Sequence, residues 1–169
     1  SFPDSETFVG LENYLNGVES SGLISAFIRT LIITVGSVLA IVIFTSMTAW
    51  YLTRVKSKIN KVIYYLFIFS MIVPFQMVMF TMTSVSAKLG LNSVLGIIPV
   101  YLGFGSGLSV FMFSGFIKGL PREVEEAAMI DGCSPLKSFF YVVFPILKPT
   151  AITVAILNAM WIWNDFLLP

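Results

Sequence analysis

Three carboxylates lie close together in an otherwise apolar chain: Glu123, Glu125 and Glu126. Pro121 precedes them, and proline fits the first position of a helix, where carboxylates in the first turns complement the positive helix end. Gly132 follows the expected helix end, where a left-handed turn favours glycine. The pattern predicts a short acidic helix of about 11 residues within 121–132, whose carboxylates could pair with basic groups of a partner.

The surroundings of this helix suggest a mechanical role rather than catalysis. Ala127 and Ala128 leave a low surface against which a groove of another protein could close. Pro145 and Pro149 then break the chain as it returns to apolar sequence. A short helix between broken segments could pass the movement of a partner to them, but it could equally be a simple connection.

The chain offers few groups for catalysis or for metal binding. It has no histidine and one cysteine, Cys133, and it lacks a phosphate-binding loop of the form GxxxxGK[ST]. The usual general base and metal ligand are therefore missing, and an internal disulfide is impossible. We predict no catalytic residue, no metal site and no cofactor, and we interpret Cys133 as a small residue in a tight place.

The composition indicates a membrane protein. Hydrophobic residues make up 57% of the chain, charged residues 11%, and mean hydropathy is +0.91. An average soluble domain carries roughly 25% charged residues. A soluble enzyme is therefore excluded, and a net charge of +1 gives no basic field for nucleic acid.

Four apolar runs are long enough to span a bilayer, which takes roughly 20 residues. They cover residues 26–52, 62–87, 89–117 and 149–168. We therefore predict an all-α, polytopic membrane protein forming one domain over 1–169, with at least four transmembrane helices.

Charge placement predicts the orientation, because basic residues mark the cytoplasmic side. Residues 1–22 carry four acidic and no basic residues, whereas the 53–61 loop carries one arginine and three lysines. We therefore expect residues 1–22 outside, and 53–61 and 118–138 in the cytoplasm. This places the predicted acidic helix on the cytoplasmic face.

Two of the predicted spans contain helix-breaking residues. Pro74 should kink the second span, and Gln76 beside it could satisfy a freed backbone group or line a path. Pro99 and the glycine-rich run at 103–107 interrupt the third span. Small residues permit close helix packing, and broken backbone can also line a pathway, so both interpretations stay open.

The fourth predicted span carries polar and aromatic residues at its end. Asn158, Trp161 and Asp165 share one helical face, and Asn164 lies beside them. Polar groups in a span usually face the bundle interior or a cavity. Gln76, Asn158, Trp161 and Asn164 are therefore the candidate residues of a translocation path, while Asp165 could lie in water at the outer boundary.

The acidic helix also carries a recognisable spacing. Glu126-Ala127-Ala128, three residues, Gly132, nine residues and Val142-x-Phe144-Pro145 resemble the EAA loop of ATP-binding-cassette importer permeases. Asp131, Phe140 and Pro149 are similar to the carbohydrate branch. The segments LPREVEEAAMIDG, WNDFLLP, VPFQ and FVGLENY most resemble the second membrane subunit of maltose-type importers.

The resemblance implies a sugar importer in which residues 121–132 form a coupling helix that docks on a cytoplasmic ATPase dimer. The implied coupling residues are Glu126, Ala127, Ala128, Asp131, Gly132 and Pro145. Further implied partners are a second, non-identical permease and an extracytoplasmic solute-binding protein, all at the inner membrane. Such permeases usually have six spans, so we expect the chain to be incomplete at both ends.

Three alternatives stay open beside this interpretation. The solute could be a polyol, glycerol phosphate, an amino acid or a peptide. The protein could also be an ATP-independent channel or carrier, although the second and third spans lack the charged residues typical of ion coupling. An inert membrane scaffold would have no need for the spacing between Glu126 and Pro145.

Overall fold

The computed structural model describes residues 22–91 and 93–165, and within these ranges every regular element is helical. The helices are α1 Leu23–Arg54, α2 Lys58–Ile72, α3 Phe75–Lys88, α4 Ile97–Lys118, α5 Glu123–Ile130, α6 Pro135–Ser138, α7 Phe144–Ile146 and α8 Lys148–Trp163. A π-helical turn, Phe139–Val143, joins α6 to α7. The predicted all-α fold is confirmed. Predictions for residues 1–21 and 166–168 lie outside the described residues.

Two helices are long and apolar enough to cross a bilayer unaided. α1 has 32 residues and α4 has 22, which correspond to about 48 and 33 Å of helix. The hydrocarbon core of a bilayer is about 30 Å thick. The described residues therefore provide two such spans, or up to four if each of two bent helix pairs counts as one span.

The second predicted span bends much more sharply than the sequence predicted. α2 and α3 meet at 106°, an angle far larger than a proline kink within a continuous helix produces. Val73 and Pro74 both have extended backbone there, because the residue before a proline avoids helical dihedrals and Pro74 itself donates no hydrogen bond. The second bent pair, α6–α7 with α8, turns by 77° just before Lys148.

The third predicted span is shorter and less interrupted than predicted. Residues 89–90 and 94–96 form turns, with Gly90 at φ 70°, and α4 begins only at Ile97. Pro99 is the third residue of α4. Backbone N–H groups in the first turn have no partner within the helix, so the missing N–H of proline costs no helical hydrogen bond. The glycine-rich run continues the helix without a break, so the interpretation of these residues as broken backbone is wrong.

Glycines of α4 instead permit close helix packing. A Cβ at Gly107 would lie 2.8 Å from the backbone carbonyl oxygen of Phe67 in α2. A Cβ at Gly105 would lie 2.6 Å from Asn158 Oδ1 and from Ile41 Cδ1. Small residues serve this purpose in membrane helices, because backbones can then approach each other.

The core lies around α4, which packs against α1, α2 and α8. Its fully buried side chains come from four parts of the chain and include Ile41, Tyr101, Phe113, Phe139 and Val154. Large apolar side chains also cover the outer faces of the helices, for example Leu39, Leu66 and Ile156. A bilayer would cover such faces, which in water would form an unusually large apolar surface.

The close contact at Gly107 predicts that alanine destabilises the protein there but not at Gly103. Gly107→Ala should lower the free energy of unfolding by about 1–3 kcal/mol, because a backbone carbonyl cannot yield without moving α2. Gly103→Ala is the matched control, since a Cβ there meets nothing within 4 Å, and it should be neutral or slightly stabilising. Thermal unfolding of the full-length permease in detergent checks both variants, and equal melting temperatures would contradict the packing role.

Candidate functional site

The acidic helix forms as α5, although it is shorter than predicted. It runs over eight residues, Glu123–Ile130, rather than about 11. Pro121 lies outside the helix, and Arg122 takes the N-cap position instead, which corrects the predicted place of the proline. Three acidic residues do fall in the first turn, where they complement the positive helix end.

The helix ends in a Schellman motif around Gly132. Gly132 has φ 86°, a left-handed conformation that suits glycine. The N–H of Cys133 donates to the Ala128 carbonyl at 3.0 Å, and the N–H of Gly132 donates to the Met129 carbonyl at 3.1 Å. The predicted turn at Gly132 is therefore confirmed in its backbone conformation.

One carboxylate of α5 is buried, and it is Glu125, which the sequence interpretation did not single out. Glu125 is only 6% exposed. Trp50 Nε1 donates to Glu125 Oε2 at 2.9 Å, and Arg54 pairs with Oε1 through Nε at 2.8 Å and Nη2 at 2.5 Å. We call these three residues the Trp50–Arg54–Glu125 cluster, and it joins the end of α1 to α5.

The cluster extends to both sides of α5. Arg54 Nη2 also donates to the Leu120 carbonyl at 3.1 Å, and Arg122 Nη2 donates to the Arg54 carbonyl at 3.3 Å. The Trp50 ring packs on Phe139, with ring centroids 5.3 Å apart, and Phe139 is fully buried in the π-helical turn. The end of α1 therefore contacts the segments on both sides of α5 as well as α5 itself.

Breaking the Arg54–Glu125 ion pair of the cluster is expected to cost much free energy, because both charges are buried. Both side chains of the ion pair are largely buried, with 13% of Arg54 and 8% of Glu125 exposed. Removing one partner of such a pair typically costs 3–5 kcal/mol, because the other charge stays buried and unpaired. The cluster therefore holds α5 in one position on the bundle, whatever its net contribution to stability.

The side of α5 that faces away from Glu125 is exposed in the described part of the chain. Glu126 and Ala127 are exposed and Ile130 is 86% exposed, whereas Ala128, three residues after Glu125, is half-buried on the Glu125 side. Small and apolar groups beside a carboxylate form a low surface on which a groove of another protein could close.

The remaining predicted coupling residues lie at the helix end and beyond it. Asp131 and Gly132 are both exposed and cap the end of α5. Pro145 is exposed in the first turn of α7, after the π-helical turn. The structure therefore gathers five of the six predicted residues on α5 and its C-terminal cap, while Pro145 belongs to the next bent pair.

The predicted path residues lie in different surroundings. Gln76 is exposed in the first turn of α3, next to the 106° bend. Asn158 is 5% exposed, and its Nδ2 donates to Ser109 Oγ at 3.2 Å and to the Val154 carbonyl at 2.8 Å. Asn164 is exposed and donates to the Met160 carbonyl at 2.7 Å. In this conformation Asn158 therefore connects α8 to α4.

Trp161 belongs to an aromatic cluster that fixes the bend between α2 and α3. Its ring centroid lies 6.1 Å from Phe75, 5.6 Å from Tyr101 and 6.5 Å from Phe104. Phe75 directly follows Pro74, so the cluster holds the start of α3 against α4 and α8. Tyr101 also donates to Asp165 Oδ2 at 2.9 Å, which places this half-buried carboxylate against protein rather than only in water.

No metal site accompanies these residues in the described part of the chain, where no three cysteine or carboxylate side chains come together. The fold and the site thus define a helical membrane protein that presents a short, clamped helix between membrane segments. The chain belongs to the family described as binding-protein-dependent transport system inner membrane component, whose model matches residues 32–169. The resemblance seen in the sequence is confirmed.

Several curated relatives are similar over nearly the whole chain. The probable starch degradation products transport system permease protein AmyC of Thermoanaerobacterium thermosulfurigenes is 47% identical over 159 residues, covering 94% of this chain and 58% of the relative. The multiple sugar-binding transport system permease protein MsmG of Streptococcus mutans is 37% identical over 172 residues, covering 100% and 61%.

A third relative has a similar identity and coverage. The melibiose/raffinose/stachyose import permease protein MelC of Bacillus subtilis is 38% identical over 161 residues, covering 94% of this chain and 58% of the relative. The chain therefore spans about three fifths of the length of the curated relatives that it matches.

The Trp50–Arg54–Glu125 cluster predicts non-additive changes in stability. Glu125→Leu and Arg54→Met should each destabilise the protein by roughly 3 kcal/mol, because each leaves its partner buried without a counter-charge. The double variant should cost about 1–3 kcal/mol less than their sum. Chemical unfolding of the full-length permease measures this cycle.

The control for this cycle is Glu123→Leu combined with the same Arg54→Met. Glu123 is exposed on the same helix, and it should add no more than about 0.5 kcal/mol in either background. If the Glu125 and Arg54 changes were additive within error, the ion pair would not fix α5 on α1.

Proposed function

We propose that this chain is the membrane-spanning part of a permease subunit of an ATP-binding-cassette importer for a sugar. The observation that carries the proposal is α5, a short helix clamped by Glu125 and open on its Glu126–Ala127 side, in a chain of this transport family. The names of these relatives, which refer to starch degradation products, to multiple sugars and to melibiose, raffinose and stachyose, support a carbohydrate as the solute.

The proposed partners follow from the same assignment. An ATPase dimer would bind α5 and hydrolyse ATP, since this sequence has no phosphate-binding loop of its own. A second, non-identical permease would complete the path, and a solute-binding protein would deliver the sugar from outside. We therefore assign a transport role, not an enzymatic one, to this chain.

The proposed orientation places α5 on the cytoplasmic side of the inner membrane. The α1–α2 turn within 53–61 and the segment 118–138 carry most of the basic residues of the chain, as cytoplasmic loops do. Both segments meet in the structure through Arg54 and Glu125, and this contact supports placing them on the same side of the membrane. Residues 1–22 would then lie outside.

In the proposed mechanism α5 acts as a rigid connection between the ATPase and the spans. Glu126 would pair with a basic residue of the ATPase, while Ala127 and Ala128 would permit a close approach. When the ATPase dimer closes, α5 would move as a body and pull α1 through Glu125. The Trp50–Phe139 contact would carry the same movement into the segment that leads to α8.

The proposed path runs along the bend between α2 and α3. Amide and aromatic groups suit a neutral solute with many hydroxyl groups, and Gln76, Trp161 and Asn164 supply them. Asn158 would join the path only when α4 and α8 separate, because it is now bonded to Ser109. An ATP-driven change of conformation could provide that separation.

The alternatives differ in solute and in energy source. Another solute, such as a polyol, glycerol phosphate, an amino acid or a peptide, would use the same architecture. An ATP-independent channel or carrier is less well supported, because α4 and the apolar parts of α2 and α3 hold no carboxylate that could couple to an ion.

Gly132 provides a direct test of the coupling role. Gly132→Val should reduce sugar uptake per ATP hydrolysed several-fold, because a β-branched residue at φ 86° is strained by about 1–2 kcal/mol or more and should reshape the end of α5. Gly132→Asn is the control, since asparagine tolerates left-handed backbone, and it should retain most coupling. The measurement is uptake and hydrolysis together in proteoliposomes.

The two readouts separate the possible outcomes. Loss of uptake with continued ATP hydrolysis in Gly132→Val supports coupling through α5. Unchanged uptake per ATP would contradict the role of this turn, and transport without any ATPase would favour the channel or carrier.

A further inference from the structure

A cavity of about 460 Å³ opens beside the turn between α1 and α2, and no residue of the Trp50–Arg54–Glu125 cluster lines it. Its polar lining is dominated by four lysines, together with two tyrosine rings: Lys56, Lys58, Lys61, Lys118, Tyr64 and Tyr65. Three of the lysines come from the α1–α2 region, and Lys118 comes from the end of α4. The cavity therefore gathers positive charge from two separate parts of the chain.

The positive charge of this cavity is not compensated by neighbouring carboxylates. No aspartate or glutamate among the described residues lines the cavity. The ion pair that the described part of the chain contains joins Arg54 to Glu125 and involves none of the four lysines. Since like charges repel, four lysines around one cavity favour an anionic occupant.

Hydrogen bonds in the α1–α2 turn and a cation–π contact give the cavity a defined shape. Asn60 is 7% exposed, and its Nδ2 donates to the Val55 carbonyl at 2.8 Å, which fixes the turn. Ser57 caps α2 by accepting from the Ile59 N–H at 3.3 Å. Lys118 Nζ lies 4.9 Å from the centre of the Tyr64 ring, a cation–π contact that directs it to the cavity side of α2.

An exposed apolar stripe leads away from the cavity along α2. Val62, Leu66 and Phe69 follow one another at helical spacing, and each is about 60% exposed (59%, 61% and 62%). Tyr65, which lines the cavity, is exposed beside the start of this stripe. Tyrosines at such a position are typical of the boundary between headgroups and acyl chains.

We propose that this cavity binds the headgroup of an anionic phospholipid, whose acyl chains lie along the apolar stripe of α2. The lysines meet the phosphate charge, and basic pockets between membrane helices are suited to such headgroups. A free phosphate would contact the lysines but would not cover the apolar stripe. A nucleic acid would not cover it either. The site is independent of the sugar path and of the docking surface on α5.

The test uses the complete transporter, purified with its partner subunits and placed in vesicles of equal parts phosphatidylglycerol and phosphatidylcholine. Native mass spectrometry after mild detergent extraction measures which lipid stays bound. We expect the wild type to retain phosphatidylglycerol preferentially. Lys58→Gln with Lys61→Gln should lower that preference about tenfold or more, since each lysine near a lipid surface contributes about fivefold.

Matched variants separate this cavity from charge in general. Lys118→Gln should lower the preference about fivefold, although it lies on another helix, because it lines the same cavity. Lys88→Gln with Lys137→Gln removes the same charge as the double variant, but neither residue lines the cavity. This control should keep the wild-type preference.

A cross-linking experiment identifies the occupant directly. With p-benzoylphenylalanine introduced in place of Tyr65, irradiation should give an adduct with the mass of phosphatidylglycerol. An adduct to another protein chain, or to another segment of the permease, would overturn the proposal. So would a wild type without lipid preference, a double variant that keeps it, or displacement of the lipid by inorganic phosphate but not by chloride at equal ionic strength.

Discussion

The buried carboxylate of Glu125 is the constraint on which the arrangement of this protein depends. A charge that is 6% exposed must be paired, and here Arg54 and Trp50 pair it from the end of α1. This contact fixes which face of α5 points inward. The same contact leaves the Glu126–Ala127 side outward, so a single ion pair determines both the position of α5 and the surface that it offers.

A second constraint comes from the bilayer, where bent backbone must be supported by protein. The bend at Pro74 is held by the rings of Phe75, Phe104 and Trp161, which bring α3 against α4 and α8. Gly107 lets α2 approach α4 at the same time. The start of α3 and the helices α1, α2 and α8 are thus held on α4, and in the proposed mechanism a displacement of α1 would pass through these contacts.

Features encoded by local sequence were predictable, and those that depend on distant partners were not. The left-handed turn at Gly132 followed from the residues beside it, because a Schellman motif is formed within one short stretch. The buried role of Glu125 depends on Trp50 and Arg54, which are 75 and 71 residues away. Three carboxylates in one helix turn look alike in sequence, and only tertiary packing decides which one is buried.

In the membrane segments, too, local features were predictable from sequence and features set by distant contacts were not. Two of the four apolar runs predicted the long apolar helices α1 and α4, since length and hydropathy are local properties. They did not predict that Pro74 would produce a 106° bend, because the angle is set by the aromatic contacts that follow it. The glycines of α4 left close packing and broken backbone both open, and the helix continues through them, with α1, α2 and α8 packed closely at Gly105 and Gly107.

The most direct measurement of the central claim is whether an ATPase stays bound when the outer side of α5 is changed. The full-length permease would be expressed with its neighbouring ATPase, as wild type and as Glu126→Lys with Ala127→Trp, because both of these side chains are exposed. Lys88→Glu with Leu89→Trp, at the end of α3, is the matched control. The account predicts co-purification with wild type and control, and loss with the α5 variant at an unchanged melting temperature. Retention of the ATPase by the α5 variant would contradict it.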